Sequence, residues 1–506
     1  MTNVFKKNIR ALRMRYQDIA LTLERTHSNG IYAGTLTAHT GENIPFFRNN
    51  RTLHSRYNPW IEAERTLPAQ PCFILFCGIG AGIHISVFLE KFRHACCAVC
   101  EFDYASFRAL LEQVDLTHII VQERVHFLHP LTHGSASQEI AQCYMPIIHG
   151  NFFVHYLQPW KAFFPTSEQK IAELTSQAMK IIRADFSVQV HFGKLWMRNA
   201  LLNLRYAQIF TPKLPNINTQ TEAIILGAGP SLEKGIEKIR SHRDVYTIFA
   251  CDTAFPVCCT GGLMPDFFIS IDPQYISYAH TMCSFPSQVT AIFDICACPC
   301  AVRSFYLNGN SLIFTGGGHP FSVYASRFSS LPFLETSSGT VAGAAYSVAS
   351  FLGFTRITSV GTDFSYTNGK PYARGTYLSK QFEQKILRIS PLETQFCNLM
   401  FRTPTRQDNT QGGITYSNEI LDQYKRNFDQ ITPGARPWHA ADFRAFPYKQ
   451  FINFFHAQLR SKHAAALLAM LPFITWYKTK RTPQAPIFRI LELVLEDVLR
   501  YTRYNE

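Results

Sequence analysis

No apolar run in the 506 residues reaches the roughly 18 positions that a membrane-spanning helix needs. The nearest, "AAALLAMLPFITWY", is short and interrupted by Pro472, and predicts a buried helix pair. No apolar core follows the basic, amphipathic start "MTNVFKKNIRALRMRY", so a secretory signal is not expected. No RNP, zinc-finger or helix-turn-helix signature accompanies the formal charge of +13. The basic residues are dispersed, which argues against a nucleic-acid partner and leaves acidic lipid or phosphorylated small molecules as the attracted anions. Internal repeats and low-complexity tracts are absent too.

Cysteine is present, 14 times, but without the setting of a disulfide framework. Cys72, Cys77 and Cys251 stand in apolar runs, where a free thiol behaves as a small hydrophobe. A reduced, cytoplasmic chain is expected. The tightest cluster, "CACPC" (Cys296, Cys298, Cys300), has a spacing unlike the C-x2-C pairs of structural zinc, and no metal site is expected.

The chain has 46% hydrophobic and 14% aromatic residues, ample for folded cores. Its length predicts on the order of two to four domains. "CFILFCGIGAGIHISVFLEKF" reads as a buried strand, a glycine-rich turn and a helix, and "ACCAVCEFD" as a second strand. Gly78, Gly80 and Gly82 then occupy the first turn, and Glu101 the tip of the next strand. That arrangement suits a nucleotide or S-adenosylmethionine, or glycines kept for packing alone. The charged stretch from 166 to 208 reads as helix, and "TPKLPNINTQ" marks a boundary.

A second α/β pattern begins at "EAIILGAGPSLEKGIEKI". Its strands end in a Gly227–Ser231 turn, in Asp252 with Thr253, in Asp272 and in Asp363. A small-residue helix is led by Ser337, Ser338, Gly339 and Thr340. Ligands of open α/β sheets bind at the carboxyl ends of strands, so these ends predict the site. "GAGPSL" lacks both the GK[ST] of a Walker loop and the third glycine of a dinucleotide fingerprint. Its helix N-terminus and Ser231 hydroxyl predict an anion site, or a turn and cap only. No D-x-D occurs, which disfavours metal-dependent sugar transfer. "VGTDFSYTNGKPYARG" displays Tyr366 and Tyr372 on a turn, where protonated phenols suit a departing phosphate.

These segments, with "LHSRYNPWIEAERTL" upstream, resemble the motility-associated factor (Maf) proteins, the flagellin glycosyltransferases, from about residue 40 to 380. The central part is similar in turn to bacterial sialyltransferases that use CMP-sialic acid. The resemblance implies an α/β protein in four parts. These are a Rossmann-like domain (1–165), a helical connector (166–220), a sialyltransferase-like, GT-A-like MptE-like domain (221–415) and a helical domain (416–506). It implies inverting transfer of a nonulosonic acid, pseudaminic or legionaminic, from its CMP form to Ser or Thr of flagellin, with no further cofactor. Gly227, Gly229, Pro230, Ser231, Asp252, Thr253, Asp272, Ser338, Gly339 and Thr340 would then surround CMP, and Tyr366 and Tyr372 its phosphate. One departure stands out. The sialyltransferases carry a histidine base after the tyrosine loop, and "TPTRQDNTQGGITYSNEILDQY" has none. His319 and Asp363 are the candidates left. Alternatives are a 6-hydroxymethylpterin pyrophosphokinase-like enzyme and a non-catalytic flagellin chaperone.

Overall fold

The computed structural model describes residues 3–210, 216–336, 338–410, 413–431, 437–461 and 463–503. The chain divides into two compact units, Met1–Ser187 and Val188–Glu506. The division falls inside one helix of 43 residues, Ser167–Ile209. The stretch expected to connect the domains is thus continuous helix to residue 209.

In the first unit an antiparallel hairpin, β1 (Tyr32–Thr37) and β2 (Asn43–Phe47), precedes a parallel sheet. That sheet contains β3 (Phe73–Cys77), β4 (Cys97–Cys100), β5 (Val125–Phe127) and β6 (Phe152–Tyr156), in the order β5-β4-β3-β6. Every residue of β3 and β4 is buried, as the unbroken apolar runs require of strands covered on both faces.

The second unit holds a six-stranded parallel sheet: β7 (Glu222–Leu226), β8 (Tyr246–Cys251), β9 (Phe267–Ser270), β10 (Thr290–Asp294), β11 (Leu312–Thr315) and β12 (Ile357–Val360). Its order is β11-β10-β9-β8-β7-β12. The chain winds outward from β7 to β11 and returns to the other side of β7, so β7 and β12 flank the topological switch point. The helix Val341–Phe351 lies against β7, β8, β9 and β12, and its Ala and Gly residues allow that close approach. A small antiparallel sheet follows, β13 (Tyr366–Thr367), β14 (Arg406–Thr410) and β15 (Gly413–Ser417), in the order β13-β15-β14. Helices then run to the end of the described chain. They include the expected buried pair, Ala464–Ala469 and Leu471–Lys480. The long helix packs on that pair so tightly that a Cβ at Gly193 would overlap the Pro472 carbonyl.

The "CACPC" stretch is held by hydrogen bonds. From the long helix, Asn199 donates to the Pro273 and Cys296 carbonyls, and Asn203 to those of Ile295 and Ala297. All 14 cysteines are free thiols. Among the described residues no group of three or more His, Cys, Asp or Glu is placed to hold a metal ion, and no helix is long and apolar enough to cross a membrane.

Candidate functional site

The strand ends flanking the switch point are joined by hydrogen bonds. Gly227 N donates to the Val360 carbonyl at 2.8 Å, and Gly229 N to that of Gly361 at 2.7 Å. Gly361 sits at φ +76°, and a Cβ there would overlap the Gly227 carbonyl, so only glycine fits. Asp363 then occupies the start of the helix Ser231–Ser241. It accepts from the Ser231 amide at 2.9 Å and from the Ser231 hydroxyl, which itself accepts from Gly361 N at 3.0 Å. The Leu232 and Glu233 amides donate to the Gly229 and Pro230 carbonyls. The helix start expected to receive an anion therefore already holds one, the Asp363 carboxylate.

The same turn clamps the tyrosine loop. Ala373 N donates to the Ala228 carbonyl at 2.8 Å. Glu233, which sequence reasoning passed over, accepts from Lys370 Nζ at 2.9 Å and from Arg374 N at 2.7 Å. Burial raises its pKa, but these two bonds outweigh that and hold it below the usual carboxylate range. On the far side Tyr366 pairs with Tyr416 across β13 and β15. Phe364 is held at φ +45°, unfavourable for a bulky residue, against Phe428 at 5.4 Å. The turn at Asn368 and Gly369 has positive φ at both positions, as the run of turn-forming residues predicts.

Tyr372 keeps 36% of its surface accessible. Burial, aided by Tyr377 and Tyr366, pushes this phenol up to about 12, so it is a proton donor throughout the physiological range. Arg402 and Tyr424 are near enough to act on it as well. Tyr424 faces Gly339, which has φ +72°, and so ties the tyrosines to the start of the helix Val341–Phe351. There Thr340 caps the helix by accepting from Gly343 N at 3.1 Å, and Ser338 is buried with its carbonyl accepting from Asn427. Ser337 lies outside the described residues.

The acids at the ends of β8 and β9 meet a histidine that the sequence did not single out. Asp252, buried, accepts from Ser270 Oγ at 2.8 Å and from Thr253 N at 2.7 Å. Thr253 Oγ1 lies 3.2 Å from Asp252 Oδ1 and 3.4 Å from His280 Nε2. His280 Nδ1 is buried and has no hydrogen-bond partner, and the ring meets Tyr377 edge-on at 4.7 Å. Burial lowers the His280 pKa, while Asp252 and Asp272 pull it upward. Asp272, raised by burial and by the neighbouring Asp252, accepts from Gln274 N at 2.9 Å. With Nε2 donating to Thr253, which donates to Asp252, the imidazole would carry its lone pair on Nδ1. The only advance signal was position, a histidine eight residues beyond an acid at a strand end.

Each of the two base candidates from sequence is engaged through part of its side chain, and His319 Nε2, like His280 Nδ1, is buried without a hydrogen-bond partner. Asp363 is engaged with Ser231. His319 follows β11, three strands from β8, or about 14 Å across the sheet. Its Nδ1 caps the helix Pro320–Phe328, its ring packs on Trp196 at 4.9 Å, and burial lowers it to about 3.

The glycine turn of the first unit is filled from within. Glu101 Oε1 accepts from Ile79 N at 2.9 Å, and Oε2 from Trp160 Nε1 at 2.8 Å. His54 Nε2 accepts from Ala81 N at 2.9 Å. A Cβ on Gly78 would meet Trp160, and one on Gly80 would meet His54. The acid expected at a ribose is 1% exposed. Of the two roles open to these glycines, the geometry supports packing.

Comparison with known proteins adds two kinds of likeness. A model of the family 6-hydroxymethylpterin diphosphokinase MptE-like matches residues 198–369, which include Gly227–Ser231, Asp252, Asp272, His280 and Tyr366 and end before Lys370, Tyr372 and Arg374. An uncharacterized protein of Treponema pallidum (strain Nichols) is 85% identical over 279 residues, which is 55% of this chain and 99% of the relative. A second from that organism is 85% identical over 88 residues, 17% of this chain and 99% of the relative. This chain belongs to their family. A more distant treponemal relative is 27% identical over 172 residues and is matched over 43% of its own length. A solved structure, the MAf glycosyltransferase from Magnetospirillum magneticum AMB-1, aligns with 99% of this chain and 95% of its own. Its TM-score is 0.52 at 16% identity, so this chain shares that fold.

Proposed function

We propose that the protein is a glycosyltransferase of the motility-associated factor kind. It transfers a nonulosonic acid, pseudaminic or legionaminic in type, from its CMP form to Ser or Thr hydroxyls of flagellin, in the cytoplasm. The observation that carries this reading is the clamped loop holding Tyr366 and Tyr372 near Tyr377, which packs on His280 of the Asp252–Thr253 relay. The fold shared with the MAf glycosyltransferase supports it. In this reading His280 Nδ1 takes the proton of the acceptor hydroxyl as its oxygen attacks the anomeric carbon. The bond from that carbon to the phosphate oxygen breaks, and CMP leaves with the bonding pair. Tyr366 and Tyr372 donate to the phosphate oxygens, and Arg402 offers a cation to the sugar carboxylate. Asp252 acts through Thr253 by stabilising the imidazolium.

The match to the MptE-like family favours a second reading, diphosphate transfer to a hydroxymethylpterin. Thermal unfolding separates the two, because a ligand that prefers the native state raises its melting temperature. The first reading expects CMP to raise it. A rise with ATP and magnesium but none with CMP would replace it with the second. Intact-mass measurement of flagellin from a deletion strain tests the acceptor: a loss of glycan mass is expected, and an unchanged mass leaves a chaperone role.

A further inference from the structure

We propose that Asn199 is a positioning residue for Asp272: by joining the loops after β9 and β10, it fixes where that acid stands. The inference rests on the proposed reaction, with Asp272 beside the CMP-activated donor. Asn199 and Asn203 lie about one turn apart on the long helix Ser167–Ile209, and both are buried. The side-chain nitrogen of each donates to two main-chain carbonyls. Carbonyls only accept, so it is the nitrogen of each amide that must face them.

The two asparagines put the same chemistry to different uses. The carbonyls on Asn203, those of Ile295 at 2.9 Å and Ala297 at 2.8 Å, both belong to the loop after β10. That amide holds the shape of a single loop. Asn199 reaches the Pro273 carbonyl at 2.9 Å, after β9, and the Cys296 carbonyl at 3.1 Å, after β10. It therefore sets the spacing between two strand ends. Pro273 has no amide hydrogen with which to anchor itself, so its carbonyl is the one main-chain handle it offers.

Asp272 stands directly before that handle. Its own carbonyl accepts from Cys298 N at 3.0 Å, and its carboxylate accepts from Gln274 N at 2.9 Å. With the carbonyls of Asp272 and Pro273 and the amide of Gln274 all engaged, the peptide planes on both sides of Pro273 are fixed. The far end of the same loop is anchored separately. The 3-10 helix Tyr275–Thr281 carries His280, and Thr281 Oγ1 lies 3.1 Å from Ser304 Oγ of the helix Pro299–Leu307. Loss of the Asn199 amide thus releases Asp272 and leaves His280 in place.

Steady-state kinetics with CMP-activated pseudaminic acid and flagellin compare the full-length wild type with Asn199→Ala and Asn203→Ala, each of which removes two hydrogen bonds. Asn199→Ala should raise the KM for the donor on the order of tenfold and keep kcat and its pH profile, because a displaced acid weakens binding alone. Asn203→Ala should lose similar thermal stability and keep the wild-type KM. Asn199→Ser, with one donor left, should show a smaller rise, and it carries the test if Asn199→Ala does not fold. A KM left at the wild-type value, or the same rise in both alanine variants, would overturn the positioning role. If the wild type shows no transferase activity, the functional reading fails by itself. Hydrogen exchange at the Gln274 amide then decides: faster exchange in Asn199→Ala than in Asn203→Ala supports the role, and equal exchange refutes it.

Discussion

The two units each open a parallel sheet with a strand, a glycine-rich turn and a helix, and they use that device in opposite ways. In the first unit Trp160 fills the space above Gly78, His54 that above Gly80 and Ile119 that above Gly82, while Glu101 accepts from the Ile79 amide of the turn. In the second, Gly227 and Gly229 let one strand-end loop lie on another, and Ser231 and Glu233 fix a loop bearing two phenols. A glycine pattern reports close approach, and what approaches is decided by side chains far along the chain.

The contrast is broken most sharply at His280. His280→Asn should lower turnover about 10²–10⁴-fold with CMP-induced stabilisation retained. The doubly substituted Tyr366→Phe, Tyr372→Phe protein should show the same split. Unchanged turnover in either would remove those side chains from the chemistry.

Acid should act on the first unit. His54 and His155 are held near 4 and His84 well below the usual imidazole range, chiefly by burial. All three are neutral when folded, while unfolded imidazoles bind protons below about 6.5. Their contribution is complete above that pH and declines as pH falls toward 4, by up to about 1.4 kcal/mol per pH unit for each. Glu101, raised by burial to about 7, works the other way, since its folded form keeps a proton to higher pH than the unfolded one. Three imidazoles outweigh one carboxyl, so hydrogen exchange in β3 and β4 should quicken from pH 6.5 to 5. His155→Gln should flatten that slope, and an unaltered slope would reject the histidines as its source.

Matched glycine substitutions sharpen the comparison. Gly80→Ala places a methyl on His54 at φ +56° and should cost about 1–3 kcal/mol, read as lower protection in the first unit, with the CMP response intact. Gly229→Ala drives a methyl into the Asp363 carboxylate and should abolish that response. A CMP response lost in the first variant and kept in the second would reverse the assignment of the site. The smallest effect is expected from Glu233→Gln. Its weakened bonds to Lys370 and Arg374 should cost about tenfold in turnover and speed hydrogen exchange of residues 366–374. Exchange as slow as in the wild type would show that Glu233 does not hold the loop.

Much of this architecture was legible in advance. Apolar runs ending in Asp252, Asp272 and the Gly227 turn became neighbouring parallel strands, because such runs are stable only when covered on both faces. The tyrosine turn was legible from its Asn, Gly and Pro. The anion site expected at Ser231 was not found free, because Asp363, 132 residues later, occupies it. His280 was missed because its role depends on Thr253 and Asp252, brought to it by strand order and not by spacing.

By itself, then, the sequence determined which segments become strands, turns and buried helices, since these follow from local apolar period, chain stiffness and the need to pair backbone groups. Only the tertiary structure decided which glycine turn is filled, which acid is engaged and which histidine stands beside Thr253 and Asp252. Those properties belong to pairs of groups, and burial and hydrogen bonding act between residues that only the fold brings within a few ångströms.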